Sequence, residues 1–232
     1  VRFRHEDPPP ATGEAVPGYI ADVGRLLPQF VNGLGFGWSH DVTDNGFNQN
    51  AANSPDELHD SFHNMHGLGS NDNVSWKIAV PYGIYSVHLL AGDPNDTSSL
   101  YRIAVGTTET GGVTAINGRA SPAKRWLENT VTVTATTGLL YLNNLSSATN
   151  NKIAAIDITA LAPSITSLSP TSGAFGRVVT LSGKNLTGAS SVLLNGLPAA
   201  FTVVSATRIK VTVPDSATTG LITVTAPGGM AT

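Results

Sequence analysis

The chain has 232 residues, a formal charge of −3, 41% hydrophobic and 12% charged residues, enough apolar material for two modest cores. It has no cysteine, which excludes a disulfide framework, a thiol nucleophile and any zinc site built on Cys. It also lacks the run of about eighteen apolar residues that a transmembrane helix needs.

The 24 Gly and 14 Pro, with plentiful Ser, Thr and Asn, suit short strands and many turns rather than helices. Residues 1–162 carry nine Lys/Arg against fifteen Asp/Glu, and residues 163–232 four against one. Neither part shows a basic stripe interleaved with aromatics, so nucleic acid is not an expected partner. The opening "VRFRHEDPPP" is charged and proline-rich. It is not a signal peptide, and an export signal is expected to have been removed. An extracellular location, secreted or cell-surface, fits this composition.

The stretch 36–74 is long, irregular and polar, and holds Trp38 and Asp41. An insertion of this kind is often functional, and Trp38 is a candidate for stacking on a sugar. Within it, "SPDE" (54–57) reads as a capped helix start. His59, His63 and His66 follow at i, i+4 and i+7. His59-Asp60-x-x-His63 mimics the zincin pattern but has Asp where that chemistry needs Glu, so surface or hydrogen-bonding histidines are expected.

From Ser75 onward, strands follow at short spacing: "SWKIAV", "IYSVHLL", "LYRIAV", "VTAI", "NTVTVTA", "LLYLNNL" and "KIAAIDITAL". Val131, Val133 and Ala135 alternate with Thr130, Thr132 and Thr134, the mark of a strand with one wet face. Strand parity in an antiparallel sandwich brings the loops 93–99, 117–126 and 146–151 to one end, where long polar loops are expected to bind. That end offers Trp126 and Tyr101 as aromatic faces, with Asp93, Arg125, Asn151 and Lys152 for hydroxyl groups. Asp93, Asn95 and Asp96 form an oxygen-rich cluster that is a candidate for a structural calcium ion; no other cofactor is expected. Core packing is the competing expectation for the aromatics. From 163 on, "RVVTLSG", "SVLLNG", "RIKVTV" and "LITVTAP" read as a second set of strands, with Ile209, Val211, Val213, Ile222, Val224 and Ala226 facing one core.

"PSITSLSPTSGAFGRVVTLSGKNL", "VLLNG", "ATRIKVTVP" and "GLITVTAPGG" resemble the IPT/TIG family of immunoglobulin-like domains across residues 163–232. The family has a further strand after this "PGG" turn, which implies a domain truncated at its last strand and further domains in the same polypeptide. "VPGYIADVG", "GFGWSHD", "SWKIAVPYGIYSVHLLAGDP", "RWLENTVTVTATTGLLYL" and "NNKIAAIDI" resemble a malectin-like, galactose-binding-like module over residues 1–161. That resemblance implies a jelly-roll β-sandwich that binds a polysaccharide or oligosaccharide without chemistry. The expected architecture is therefore all-β: a jelly-roll β-sandwich followed by a small immunoglobulin-like β-sandwich.

There is no G-x-S-x-G elbow, phosphate loop or Rossmann glycine pattern. Two alternatives stay open: a structural or adhesion spacer, or a glycan hydrolase whose acids meet only in space, about 5–9 Å apart.

Overall fold

The computed structural model describes residues 1–3, 16–31, 33–66 and 74–232. Most of the opening "VRFRHEDPPP" and the stretch 67–73 of the long polar insertion lie outside the described residues. The chain divides into two units. The first is Val1–Val80, Val87–Val133 and Thr137–Ile158; the second is Thr159–Thr232 with Pro81–Ser86 and Thr134–Thr136.

The first set of elements runs β1 (Arg2–Phe3), β2 (Ala21–Asp22), β3 (Gln29–Val31), β4 (Leu34–Trp38), β5 (Gly46–Asn48), α1 (Glu57–Asp60), β6 (Ser61–Asn64) and β7 (Trp76–Ala79). It continues with β8 (Gly83–Gly92), β9 (Leu100–Gly106), β10 (Val113–Arg119), β11 (Trp126–Ala135), β12 (Leu139–Asn144), β13 (Lys152–Ile153) and β14 (Ala155–Ala160). They form a five-stranded sheet, β11-β8-β14-β1-β2, a six-stranded sheet, β10-β9-β12-β7-β4-β3, and a small sheet, β13-β6-β5. From β7 onward the chain passes repeatedly between the two large sheets, the traffic of an antiparallel sandwich. The fold is all-β.

Alternation decides which side chains meet. On β8, Tyr85, Val87 and Leu89 are buried while Ile84, Ser86 and His88 are partly exposed. On β11, Val133 and Ala135 are buried and Thr130, Thr132 and Thr134 exposed, as the period-two pattern predicts. Ile103, Val105, Ile116, Leu140 and Leu142 on the other sheet are at most 1% exposed. Each such side chain contributes about 1.5–3 kcal/mol on burial.

The segment predicted as a capped helix start is one turn long. Asp56 caps α1 by accepting from the His59 backbone N–H, and the chain then extends at once into β6. His63 lies buried in that strand, so the three histidines do not share a helix face. No group of three or more His, Asp or Glu among the described residues is arranged to hold a metal ion.

The second unit adds β15 (Ser164–Ser169), β16 (Val178–Lys184), β17 (Ser191–Leu194), β18 (Leu197–Pro198), β19 (Phe201–Ser205), β20 (Arg208–Thr212), β21 (Ile222–Ala226) and β22 (Gly229–Ala231). Two four-stranded sheets, β15-β16-β20-β19 and β18-β17-β21-β22, enclose Val179, Leu181, Leu186, Val192, Ile209, Val211 and Val224. A strand does follow the "PGG" turn: β22 pairs with β21 at Ala226↔Gly229 and Val224↔Ala231.

Candidate functional site

The three polar loops do meet at one end of the first unit. The Leu100 and Thr149 backbones exchange hydrogen bonds of 3.0 Å, Ala120 N–H donates to Ser99 O at 2.9 Å, and Arg119 Nη1 donates to Ser98 O at 2.8 Å. At their centre the Lys152 ammonium donates to Asp93 Oδ2 at 2.6 Å and to Asp96 Oδ2 at 2.7 Å. Lys152 and Asp93 are each only 4% exposed, and the ammonium stands 5.2 Å from the Phe62 ring centre.

Asp96 also accepts from Ser98 N–H and Oγ, Ser99 Oγ and Asn150 Nδ2, all at 2.6–2.7 Å. Burial works to raise its pKa, but the Lys152 ammonium and the Ser98 and Ser99 donors outweigh it and hold the carboxyl well below the usual range. Asp93 Oδ1 accepts from Asn95 N–H at 2.8 Å, and Asn95 itself donates to Gln49 Oε1 at 2.7 Å. The two acids of the predicted calcium cluster therefore converge on an ammonium within the chain.

Asn151 is wholly buried and clips its loop to β9, accepting from Arg102 N–H at 2.8 Å and donating to Arg102 O at 2.7 Å. Asn150, at φ 59°, makes the left-handed turn that Asn tolerates. Tyr101 is 0% exposed, and burial pushes its pKa up. Asp93, Tyr101, Asn151 and Lys152 thus build the scaffold of the loop end and present no surface to a ligand.

Trp38 is also interior. It is 0% exposed and its Nε1 donates to Asp22 Oδ1 at 3.0 Å, while Trp76 Nε1 donates to Asp22 Oδ2 at 2.6 Å. The stacking expected of Trp38 is therefore corrected: no ring face is open, because a buried carboxylate holds both indoles inward. Burial raises the Asp22 pKa against the opposing pull of the Gly24, Trp76 and Trp38 donors. Asp41 is exposed, and its Oδ1 accepts from Thr43 N–H at 3.0 Å and Thr43 Oγ1 at 2.9 Å. These bonds close its own turn and lower its pKa.

Trp126 behaves differently. Half-buried at the start of β11, it donates from Nε1 to His59 O at 3.1 Å and meets the His59 imidazole edge-on, ring centres 5.2 Å apart. It lies against Gly92, where an added Cβ would come within 2.2 Å of Trp126 Cδ1. Together with Tyr19 and Leu58 it packs over Phe62, Leu90, Ala154 and Ala155 on the outer face of the β11-β8-β14 strands.

Along that face, two residues further on each strand, sits a group that sequence reading missed. His88 on β8 lies 3.3 Å from Glu128 Oε2 through Nε2 and 3.3 Å from Asp157 Oδ2 through Nδ1. Tyr19 Oη donates to Asp157 Oδ2 at 3.0 Å; burial first, then Asp157, push the tyrosine pKa up to about 12. His59 Nδ1 stands 2.6 Å from Asp56 Oδ1. Burial opposes ionisation of Asp56, yet its bonds from His59 prevail and lower its pKa. The surface thus presents two aromatic rings with carboxylates and imidazoles between them. Arg125, beside Trp126, is half-buried and makes no side-chain hydrogen bond or ion pair among the described residues.

No curated protein matches the chain. Among solved structures, similarity is found to protein YXIM from Bacillus subtilis, 19% identical with a TM-score of 0.40 over 69% of this chain. SGBP-B from a complex xyloglucan utilization locus in Bacteroides uniformis is 17% identical, with a TM-score of 0.31 over 68% of this chain. The K1 cleaved adhesin domain of Lys-gingipain from Porphyromonas gingivalis W83 is 16% identical, with a TM-score of 0.29 over 54% of this chain and 91% of its own. The matches span 39% and 43% of the first two structures, and at these TM-scores they carry no argument about function. No helix among the described residues is long and apolar enough to cross a membrane. The family match falls in the second unit: residues 163–231 match the IPT/TIG domain.

Proposed function

We propose that the first unit is a malectin-like, non-catalytic glycan-binding module of a larger extracellular protein, and that the second unit is its spacer. The observation that carries this reading is the surface on β11, β8 and β14. There the half-buried Trp126 and Tyr19 flank Glu128, His88 and Asp157. A sugar needs an apolar face for its C–H side and planar polar groups for its hydroxyls, and this surface supplies both. Arg125, next to Trp126 in the chain, keeps its guanidinium donors unspent.

The buried Lys152–Asp93–Asp96 contact supports the reading from beneath. It fixes the neighbouring loops before any ligand arrives, which reduces the ordering cost of binding. No bond-making step is assigned to the acids of this surface and of the loop end, which are engaged by neighbours: Asp93 and Asp96 by Lys152, Glu128 and Asp157 by His88, and Asp56 by His59.

The test is retention of the purified chain on immobilised plant, algal and microbial polysaccharides, compared with Trp126→Ala, whose far-UV circular dichroism establishes that it is folded. Retention on one class of glycan, lost in the variant, is the expected result. No retention on any glycan would leave the spacer reading in its place.

A further inference from the structure

We infer that the glycan held at the Trp126 surface is acidic, its carboxylate or sulfate group bound by Lys124, with Arg125 beside it, at the groove between β10 and β11. This inference rests on the glycan-binding reading and names the class of sugar.

The groove has a volume of about 310 Å³ and is lined by residues 114–117, Lys124 and residues 127–129. It lies where the sandwich is open at one side, because β10 ends the six-stranded sheet and β11 ends the five-stranded one. Ala115, Ile116 and Leu127 form a buried apolar floor. Asn117, Lys124, Glu128 and Asn129 are exposed around it. Asn129 Nδ2 donates to Ala115 O at 2.8 Å, so one amide already spans the gap between the two edges. Asn117 and the second carboxylate oxygen of Glu128, whose Oε2 stands beside His88, remain to meet sugar hydroxyls. Glu128 joins the groove to the Trp126 surface, since it lines the first and stands beside His88 on the second.

Charge selects the ligand. Residues 1–162 are acidic overall, yet between Glu109 and Glu128 there is no acid and three cations, Arg119, Lys124 and Arg125. Arg119 is spent on Ser98 O. The side chains of Lys124 and Arg125 make no hydrogen bond or ion pair among the described residues. Lys124 is carried on a closed turn: Ser121 and Lys124 exchange backbone hydrogen bonds of 3.0 Å in both directions, and Ser121 Oγ accepts from Lys124 N–H at 3.1 Å. Pro122 stiffens the same turn. A cation held this way on an otherwise acidic unit matches an isolated anion. Glu128 on the same rim accepts from hydroxyls and repels phosphate, so a sugar chain that carries hydroxyls beside each anionic group fits and a nucleic acid does not.

The experiment compares the intact chain's affinity for two matched pairs: polygalacturonate against its methyl ester, and a sulfated galactan against agarose. The expected result is tighter binding to at least one charged member, on the order of tenfold. Whichever anion is preferred identifies the source of the charge. Lys124→Gln should remove that preference and leave weak binding to the neutral partner, Lys124→Arg should restore it, and Trp126→Ala should lose binding to both. Lys210→Gln in the second unit, which removes the same charge, should change nothing. Equal affinity within both pairs would overturn the acidic assignment while leaving the glycan reading intact, and so would an equal loss in Lys210→Gln. Loss of neither preference nor affinity in Lys124→Gln would also overturn it. Absence of binding to all four polymers would overturn the acidic assignment alone where another polysaccharide of the panel retains the chain, and would remove both readings together where none does.

Discussion

Trp38 and Trp126 occupy two regions of one unit and use the same side chain in opposite ways. Trp38 and Trp76 send both indole N–H groups to the two oxygens of Asp22, and all three residues are fully buried. Trp126 gives its N–H to a backbone carbonyl, rests on a glycine and keeps part of its ring at the surface. An indole whose donor is matched to a buried carboxylate belongs to the core. One seated on a strand edge over a residue with no side chain is available to a partner.

The largest effect that sharpens this contrast is expected from Trp38→Ala. Loss of a buried indole, together with a donor to Asp22, should cost about 5 kcal/mol by denaturant unfolding. Trp126→Ala should cost clearly less and abolish glycan binding. Equal destabilisation by the two variants would break the contrast. Next in size is Lys152→Met, which leaves Asp93 and Asp96 facing one another without their cation; a loss of about 3–5 kcal/mol is expected. A chelator should leave the unfolding midpoint of the parent chain unchanged, since Lys152 supplies that positive charge. A drop in the midpoint on chelation would instead indicate a bound metal.

Gly92→Ala is expected to act more locally. The added methyl would overlap Trp126 and should cost about 1–3 kcal/mol, with indole fluorescence shifting as the ring is displaced. The smallest effect is pH dependence from Asp96. Its pKa is depressed in the folded chain from an ordinary value of 3.8. The stabilisation is therefore fully present above that value and fades as the pH falls below it. Asp22, with a raised pKa, works in the opposite sense: its contribution is complete below the ordinary value and is lost as the pH rises through the folded one. Acid unfolding followed in the parent and in Asp96→Asn should show a shallower loss in the variant.

Strand alternation made the all-β fold legible, because Val133 and Ala135, or Ile209 and Val211, can be buried together only on extended chain. Parity also brought the three polar loops to one end. The sequence could not show that these polar residues turn inward. Burial of Asp93 and Lys152 depends on a cation at the start of β13 meeting two acids of the 93–99 loop, and burial of Asn151 on the Arg102 backbone, and no local pattern encodes either meeting. Trp38 misled for the same reason, since its partner Asp22 lies sixteen positions away. His88 was hidden inside an apolar run, "YSVHLL". Its position, alternating with Val87 and Leu89, was the available signal for a wet face. The "DPNDTSS" loop gains its stiffness from Lys152, which lies 56 positions from Asp96.

The three tryptophans give the most direct test of where the ligand binds. In a ¹⁵N-labelled chain each indole N–H gives its own resonance, and these can be followed as an oligosaccharide of the retained polysaccharide is added. The account predicts a progressive shift of the Trp126 resonance while those of Trp38 and Trp76, tied to Asp22, stay in place. Movement of Trp38 or Trp76 with Trp126 fixed would contradict it.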